Sequence, residues 1–413
     1  MRSPPSSPEV VLTLSRDGRI VFAGRALRTF SFGYLSVVLA LFLSERGLSA
    51  AQIGAVFTAT LVEDAVLTTL LAAVADRVGR RRILILTAPF IAVAGVFLAV
   101  ARDPLVLMAA AVLGTLSPSG QEAGPFSPIE QAMLADAVPA AERTRAYAWY
   151  NIFGFLPAAL GALAAGGWLH AVGAWGGTPM EAYRGLLWLY AGGGVILMLL
   201  YARLSPDRRS TSAPTPLGLH RSRAVVLQLA ALQSVDALAG GFIVQALLAY
   251  WFHLRFGVGP EVLGPLFFGT NLLSALSFLV AAPVAERIGL LNTMVLTHLP
   301  SNVLLLLVPF MPSFPLAAAA LLARHLLSQM DVPTRQAYAM ALVAPDERSA
   351  AAGFTTSARA LAQSAAPVFS GFALAKAASG LPFFLAGGLK IVYDLALYFR
   401  FRGVTLAEPP RPR

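Results

Sequence analysis

The sequence predicts an all-α membrane protein with twelve transmembrane helices in two pseudo-symmetric six-helix bundles. Three observations lead there. Charged residues make up 13% of the 413 residues and hydrophobic residues 57%, so water is not the main solvent of this chain. Apolar stretches long enough to cross a bilayer recur along the whole length. The basic residues gather in every second connection between those stretches.

Residues 1–20 are rich in Pro and Ser and lack a continuous apolar core, which fits a cytosolic tail rather than a cleavable signal. The first span is expected at 21–43 and the second at 50–74, parted by the polar Glu45, Arg46 and Gly47. The third, 83–101, follows the charged stretch ADRVGRRRIL at 75–84. The fourth, 105–137, contains LSPSGQEAGPFSPIEQ, whose three prolines and two glycines argue against continuous helix. Broken helix survives in a membrane only where protein or a wet cavity satisfies the freed backbone, so Gln121 and Glu122 become candidates for a binding region. Spans at 144–169 and 184–203 complete the first bundle, taken as 21–203. The polar, Pro-rich and basic segment 204–224 reads as a cytosolic linker. Spans at 226–252, 261–284, 291–310, 315–342, 349–372 and 381–399 build the second bundle, 225–400, and 401–413 is a cytosolic tail.

With an even number of spans, both termini share one side. Placing that side in the cytosol puts twenty basic residues there and leaves five, Arg46, Arg102, Arg184, Arg255 and Lys376, on the other. Basic loops resist translocation, so the asymmetry predicts a multi-pass protein of the cytoplasmic (inner) membrane with both termini cytosolic. The net charge of +10 then reflects retained loops and lipid headgroups, not nucleic acid. The chain contains no Cys, which removes disulfide and thiolate chemistry.

The two halves also resemble each other. AVADRVGRRRILIL is answered by PVAERIGLLNTMVL, setting Asp76, Arg77 and Gly79 opposite Glu286, Arg287 and Gly289. PIEQAMLADAVPAAERTRAYAWYNIFG is answered by PTRQAYAMALVAPDERSAAAGFTTSAR, setting Pro128 opposite Pro333 and Gln131 opposite Gln336. Two matches in the same order, at offsets of 210 and 205 residues, indicate a duplicated six-helix unit.

On these residues the chain resembles the major facilitator superfamily of secondary transporters. The family loop Gly-x-x-x-Asp-Arg-x-Gly-Arg-Arg appears as AAVADRVGRR, with Asp76, Arg77, Gly79, Arg80 and Arg81 matching and Ala72 in place of the leading Gly. The resemblance implies two bundles around a cavity that opens to alternate sides. It also implies a cytoplasmic gate at Asp76, Arg77, Gly79, Arg80, Arg81 and the weaker copy at Glu286 and Arg287. The family's usual Arg in the fourth helix is missing from PLVLMAAAVLGT, and the fifth helix carries Gly154, Gly161, Gly166 and Gly167 without the exporter order.

Ionisable groups at bilayer depth cost several kcal/mol unless paired or hydrated, so they tend to line transport paths. Glu63 and Asp64 on the second span and Asp236 on the seventh are candidate proton-coupling groups. Adjacent Glu63 and Asp64 point about 100° apart, so at most one projects squarely into a cavity. Arg28, Gln121, Glu122, Glu130, His325, Asp331, Arg335, Arg359, Lys390 and Asp394 are candidates for the substrate cavity. Glu130 and Arg335 occupy equivalent repeat positions with opposite sign, and such a pair could close the cytoplasmic gate as an ion pair. Asp331 with Arg335, and Lys390 with Asp394, are four apart, so each pair could satisfy itself on one helix face or else meet substrate. His298 and His325 lack a second ligand at metal spacing, so no metal is expected.

No cofactor is expected either, and no enzyme: Walker, dinucleotide and His-Glu-x-x-His motifs are absent. The expected function is secondary active transport of a small polar or anionic solute by a proton-coupled monomer working by alternating access. The alternative is proton-driven export of hydrophobic or cationic compounds.

Overall fold

The computed structural model describes residues 15–120, 124–138, 143–206, 221–344, 347–376 and 379–403. Several of the spans, α1, α2, α4 and α7 among them, begin where a polar side chain satisfies free helix N–H groups. Helix α1 (Arg16–Glu45) starts on Ser15, whose hydroxyl accepts from Gly18 N. It begins ahead of the expected residue 21, so Arg16 and Arg19 belong to the first helix rather than the tail. Helix α2 (Ala50–Val78) opens with a capping box of Ser49 and Gln52. Helix α3 (Arg80–Val100) follows after one residue, Gly79, at φ 111°, and the same turn recurs at Gly289, φ 85°. A side chain is strained at both angles, which explains why both copies of the loop motif keep glycine there.

The expected fourth span is two shorter helices, α4 (Pro104–Leu113) and α5 (Phe126–Ala137). Thr115 has φ 48°, and Gly120 and Gly124 are also at positive φ. Protein groups meet the freed backbone: Pro118 O accepts from Ala246 N at 2.9 Å, and Gly124 N donates to the Asp64 carboxylate. Helices α6 (Arg143–Ala174) and α7 (Pro179–Ala202) follow, the latter capped by Thr178 and Glu181.

Three of the expected continuous spans of the second half are also divided. The seventh is α8 (Arg223–Gly241) and α9 (Gln245–Phe256), breaking after the Gly240–Gly241 pair. Helices α10 (Pro260–Ile288) and α11 (Leu290–Leu307) are continuous. The tenth is α12 (Phe314–Ser328) and α13 (Asp331–Leu342), and the eleventh is α14 (Arg348–Ser364) and α15 (Ala366–Leu374). Pro333 and Pro367 stand in the first turns after these breaks, where a missing N–H does least harm. Helix α16 (Leu381–Phe401) closes the fold.

Among the described residues, nine stretches are long and apolar enough to cross a membrane. Large apolar side chains such as Leu70, Phe90, Leu199 and Phe399 are exposed, as expected where lipid is the solvent. Helices α1 to α7 meet α8 to α16 near the end of the molecule that carries Glu45. There Gln245 Nε2 donates to Ser36 Oγ at 2.7 Å, Ser44 and Tyr250 hydroxyls lie 3.2 Å apart, and Val368 N donates to Thr58 Oγ1 at 3.0 Å.

Glycines bring the helices close enough for this. A Cβ on Gly54 would lie 2.5 Å from Pro367 O, and one on Gly264 2.6 Å from Ala162 O. The glycines of α6 serve the same end: a Cβ on Gly161 would lie 2.0 Å from Phe30 O of α1. Bilayer lipid gives helices no hydrophobic reason to associate, so close van der Waals approach through small residues carries much of the packing.

Candidate functional site

Two buried charge networks occupy equivalent depths in the two halves, with polarity inverted. In the first, Arg28 of α1 forms a bidentate pair with Glu130 of α5, at 2.7 and 2.8 Å. Both side chains are fully buried, so neither Arg28 snorkels to the headgroups nor Glu130 lines an open path. Tyr150 and Tyr201 each donate to Glu130 at 2.7 Å, and the Arg28 guanidinium also contacts Tyr201 Oη and stacks 4.4 Å above Phe126. Every lone pair and charge that burial strips of water is thus compensated. Arg25, one turn earlier, lies over the Tyr150 ring at 3.8 Å.

In the second network Asp236 of α8 holds three cations. Lys390 Nζ lies at 2.5 Å, Arg335 Nη1 at 2.9 Å and Arg359 Nη1 at 3.3 Å. Arg335 also binds Asp331 at 2.9 Å, the one-face pair that the spacing of four suggests. Asp394 accepts from Asn302 at 3.0 Å and lies 2.8 Å from His298 Nδ1, whose Nε2 is 4.0 Å from Asp236.

Two pairings that the sequence allows do not form. Glu130 and Arg335 do not meet across the bundles, because each takes a partner on the first helix of its own half, 102 and 99 residues earlier. Lys390 and Asp394 do not pair along α16, since Lys390 reaches Asp236 and Asp394 turns to α11. The inversion follows from the repeat: Glu130 with Arg28, and Arg335 with Asp236, are one contact written with opposite signs.

Asp64 accepts from Thr68 Oγ1 at 3.1 Å and from Gly124 N, so it ties α2 to the broken segment between α4 and α5. Glu63 differs: both of its carboxyl oxygens are buried with no hydrogen-bond partner among the described residues. His325 Nδ1 lies 3.1 Å from Ser274 Oγ. Helix α14 presents Thr356, Arg359 and Gln363 along one face, and the Arg359 side chain keeps 27% of its surface exposed. It is the most accessible cation of its network.

Of the gate motif, Arg81 donates to Ala202 O at 2.7 Å and so caps the last turn of α7, while Arg77, Glu286 and Arg287 are exposed. The Asp76 side chain, Gln121 and Glu122 lie outside the described residues. An open depression lined by Ser49, Tyr250 and Arg255 lies at the Glu45 end, away from both networks.

Sequence reasoning missed Tyr150 and Tyr201, because a tyrosine in an apolar helix carries no mark of its partner. It also missed Arg324, which is buried on α12 beside His325. Its signal was available: a charge in the middle of an apolar span.

Long apolar helices, several of them divided, around two compensated charge clusters fit a multi-pass membrane transporter rather than an enzyme. Residues 21–323 match the Major Facilitator Superfamily, and the chain belongs to that family. It is similar to the uncharacterized membrane protein YJR124C of Saccharomyces cerevisiae, 27% identical over 96% of this chain and 97% of the relative. Its fold is similar to that of a bacterial homolog of the human lysosomal transporter Spinster, in an inward-facing and occupied conformation. The TM-score is 0.74 at 15% identity, over 95% of this chain and 98% of the other. The nucleoside transporter NupG, as its D323A mutant, gives a TM-score of 0.71 at 14% identity, over 93% of this chain and all of the other.

Proposed function

We infer that the protein is a proton-coupled carrier that moves a small polar or anionic solute across the cytoplasmic membrane by alternating access. In this reading the helix pairs α4 with α5, α12 with α13, and α14 with α15 complete twelve spans, in bundles at 21–203 and 225–400, with both termini cytosolic. The observation that carries it is the Glu63 carboxyl group, buried on α2 with neither oxygen partnered. A carboxyl without donors is stable in such a place as the neutral acid, so Glu63 takes a proton when buried and releases it when water reaches α2. Asp64 is held by Thr68 and Gly124 and couples that exposure to the broken segment.

The close packing at the Glu45 end, through Gly54 and Gly264, supports reading that end as the closed outer side in this state. The loop of Asp76, Arg77, Gly79, Arg80 and Arg81, with its copy at Glu286 and Arg287, closes the cytosolic side in the opposite state. Asp236 is the movable counterion of the second half: breaking its contact with Arg359 loosens α14 from α8.

Proteoliposomes with an imposed pH gradient test the reading. Uptake of anionic or neutral polar solutes should follow the gradient, cease when it is collapsed, and lose gradient dependence in Glu63→Gln. Accumulation of cationic dyes in place of anions would refute it.

A further inference from the structure

Four cations of the second half, Arg324, Arg335, Arg359 and Lys390, face three carboxylates, Asp236, Asp331 and Asp394. The carboxylates are spoken for. Asp236 is shared by Lys390, Arg335 and Arg359, Asp331 is held by Arg335, and Asp394 by His298 and Asn302. Arg324 is the remaining cation: 6% exposed, with no described carboxylate in ion-pair contact. Asp236 and Asp331 act on it only at longer range.

Its surroundings fix one edge and leave another. Ser274 Oγ donates to Thr270 O at 2.7 Å, which spends its only proton. It must therefore accept from His325 Nδ1 at 3.1 Å, so the proton of His325 sits on Nδ1 and the lone pair on Nε2 faces Arg324 Nη1 at 3.5 Å. Arg324 Nε, on the opposite edge of the guanidinium, is buried without an acceptor. A buried hydroxyl on the same helix, Ser328 Oγ, also lacks a partner. Ser328 is four residues beyond Arg324 on the same face of α12. One guanidinium edge and one hydroxyl, both buried and both unsatisfied, thus lie one turn apart on a single helix face. Leaving such groups unpaired is costly, and a planar oxyanion satisfies both.

We propose that Arg324 and Ser328 form a binding subsite for the carboxylate of a small organic monoanion. The proposal rests on the carrier reading above and names the substrate group which that reading leaves open. One unpaired guanidinium fits one negative charge, and its Nε edge presents the parallel donors that a carboxylate accepts.

The test uses the purified full chain in detergent, titrated with sodium benzoate at constant ionic strength and read by tryptophan fluorescence. Benzamide, of similar shape without the charge, is the comparison. Benzoate should bind and benzamide should not. Arg324→Gln should raise the half-saturating benzoate concentration about ten- to a hundredfold, the loss expected for a charge-assisted hydrogen bond. Arg324→Lys, which retains the charge and so the fold, should weaken binding because the Nε edge is gone, and Ser328→Ala should weaken it by about three- to tenfold. Benzoate binding unchanged in Arg324→Lys and Ser328→Ala, or equal binding of benzamide, overturns the subsite while gradient-driven uptake by the same preparation leaves the carrier reading standing. Failure of the native chain to bind benzoate, together with dye transport, overturns both.

Discussion

Arg28→Met should unfold the first half far more easily than its place in an apolar helix suggests. The guanidinium makes bonds of 2.7 and 2.8 Å to Glu130 and lies against Phe126, with both charged side chains fully buried. Removing it leaves Glu130 with two tyrosine hydroxyls and an uncompensated charge, a defect that costs about 3–5 kcal/mol in buried pairs. For a unit the size of this half, that corresponds to a fall in Tm on the order of 10 °C. Replacing both charges, in Arg28→Met with Glu130→Gln, removes the stranded carboxylate and should recover most of the loss. The same cycle on Asp236 is harsher, because Asp236→Asn strands Lys390, Arg335 and Arg359 together. Thermal unfolding of the purified variants, followed by tryptophan fluorescence, reads these differences. A double variant no more stable than Arg28→Met alone would refute the claim that pairing, rather than packing of the long side chain, sets the cost.

Gly371→Ala and Gly54→Ala place a methyl where the opposing backbone lies 2.5 Å away, so they should loosen the closed end and raise labelling of a cysteine at Ser44 by a water-soluble thiol reagent; unchanged labelling counts against the closure. Gly289→Ala forces a side chain into φ 85° and should destabilise by about 1–2 kcal/mol, read as a lower Tm, whereas Gly388→Ala, which meets open space, should be neutral or stabilising. Asp76→Asn should slow transport strongly and leave solute affinity within a few fold in equilibrium binding, since a gate residue shifts populations rather than contacts. An impermeant thiol reagent applied to intact cells should label a cysteine at Gly176 and not one at Ser212, and the reverse pattern would invert the topology.

Much of the architecture was legible because lipid imposes long apolar helices and because the duplicated loop keeps glycine at 79 and 289, where the backbone needs it. The divided helices were less so. LSPSGQEAGPFSPIEQ advertises its break through three prolines and two glycines, but the breaks at Gln329 and Ala365 are each marked only by a single proline a few residues on, Pro333 and Pro367, which apolar helices also tolerate inside a span. The site residues were visible as charges in apolar spans, yet their partners were not. Whether Lys390 meets Asp394 on its own helix or Asp236 on another depends on how α16 is rotated against α8, a tertiary fact. The repeat held the missing clue for Glu130 and Arg335, since equivalent positions in a duplicated fold meet equivalent helices, here α1 and α8. Arg324 was passed over although it adjoins His325 in the same span.

Proton movement that accompanies solute movement tests the central claim most directly. Proteoliposomes loaded with a pH-sensitive dye and given a solute gradient, with no imposed pH gradient, should show a lumenal pH change that tracks solute flux. In Glu63→Gln the solute should still exchange down its gradient while the pH trace stays flat, because the buried carboxyl that carries the proton is gone. A pH change of undiminished size in Glu63→Gln, or solute flux in the native protein with no pH change at all, would contradict the account.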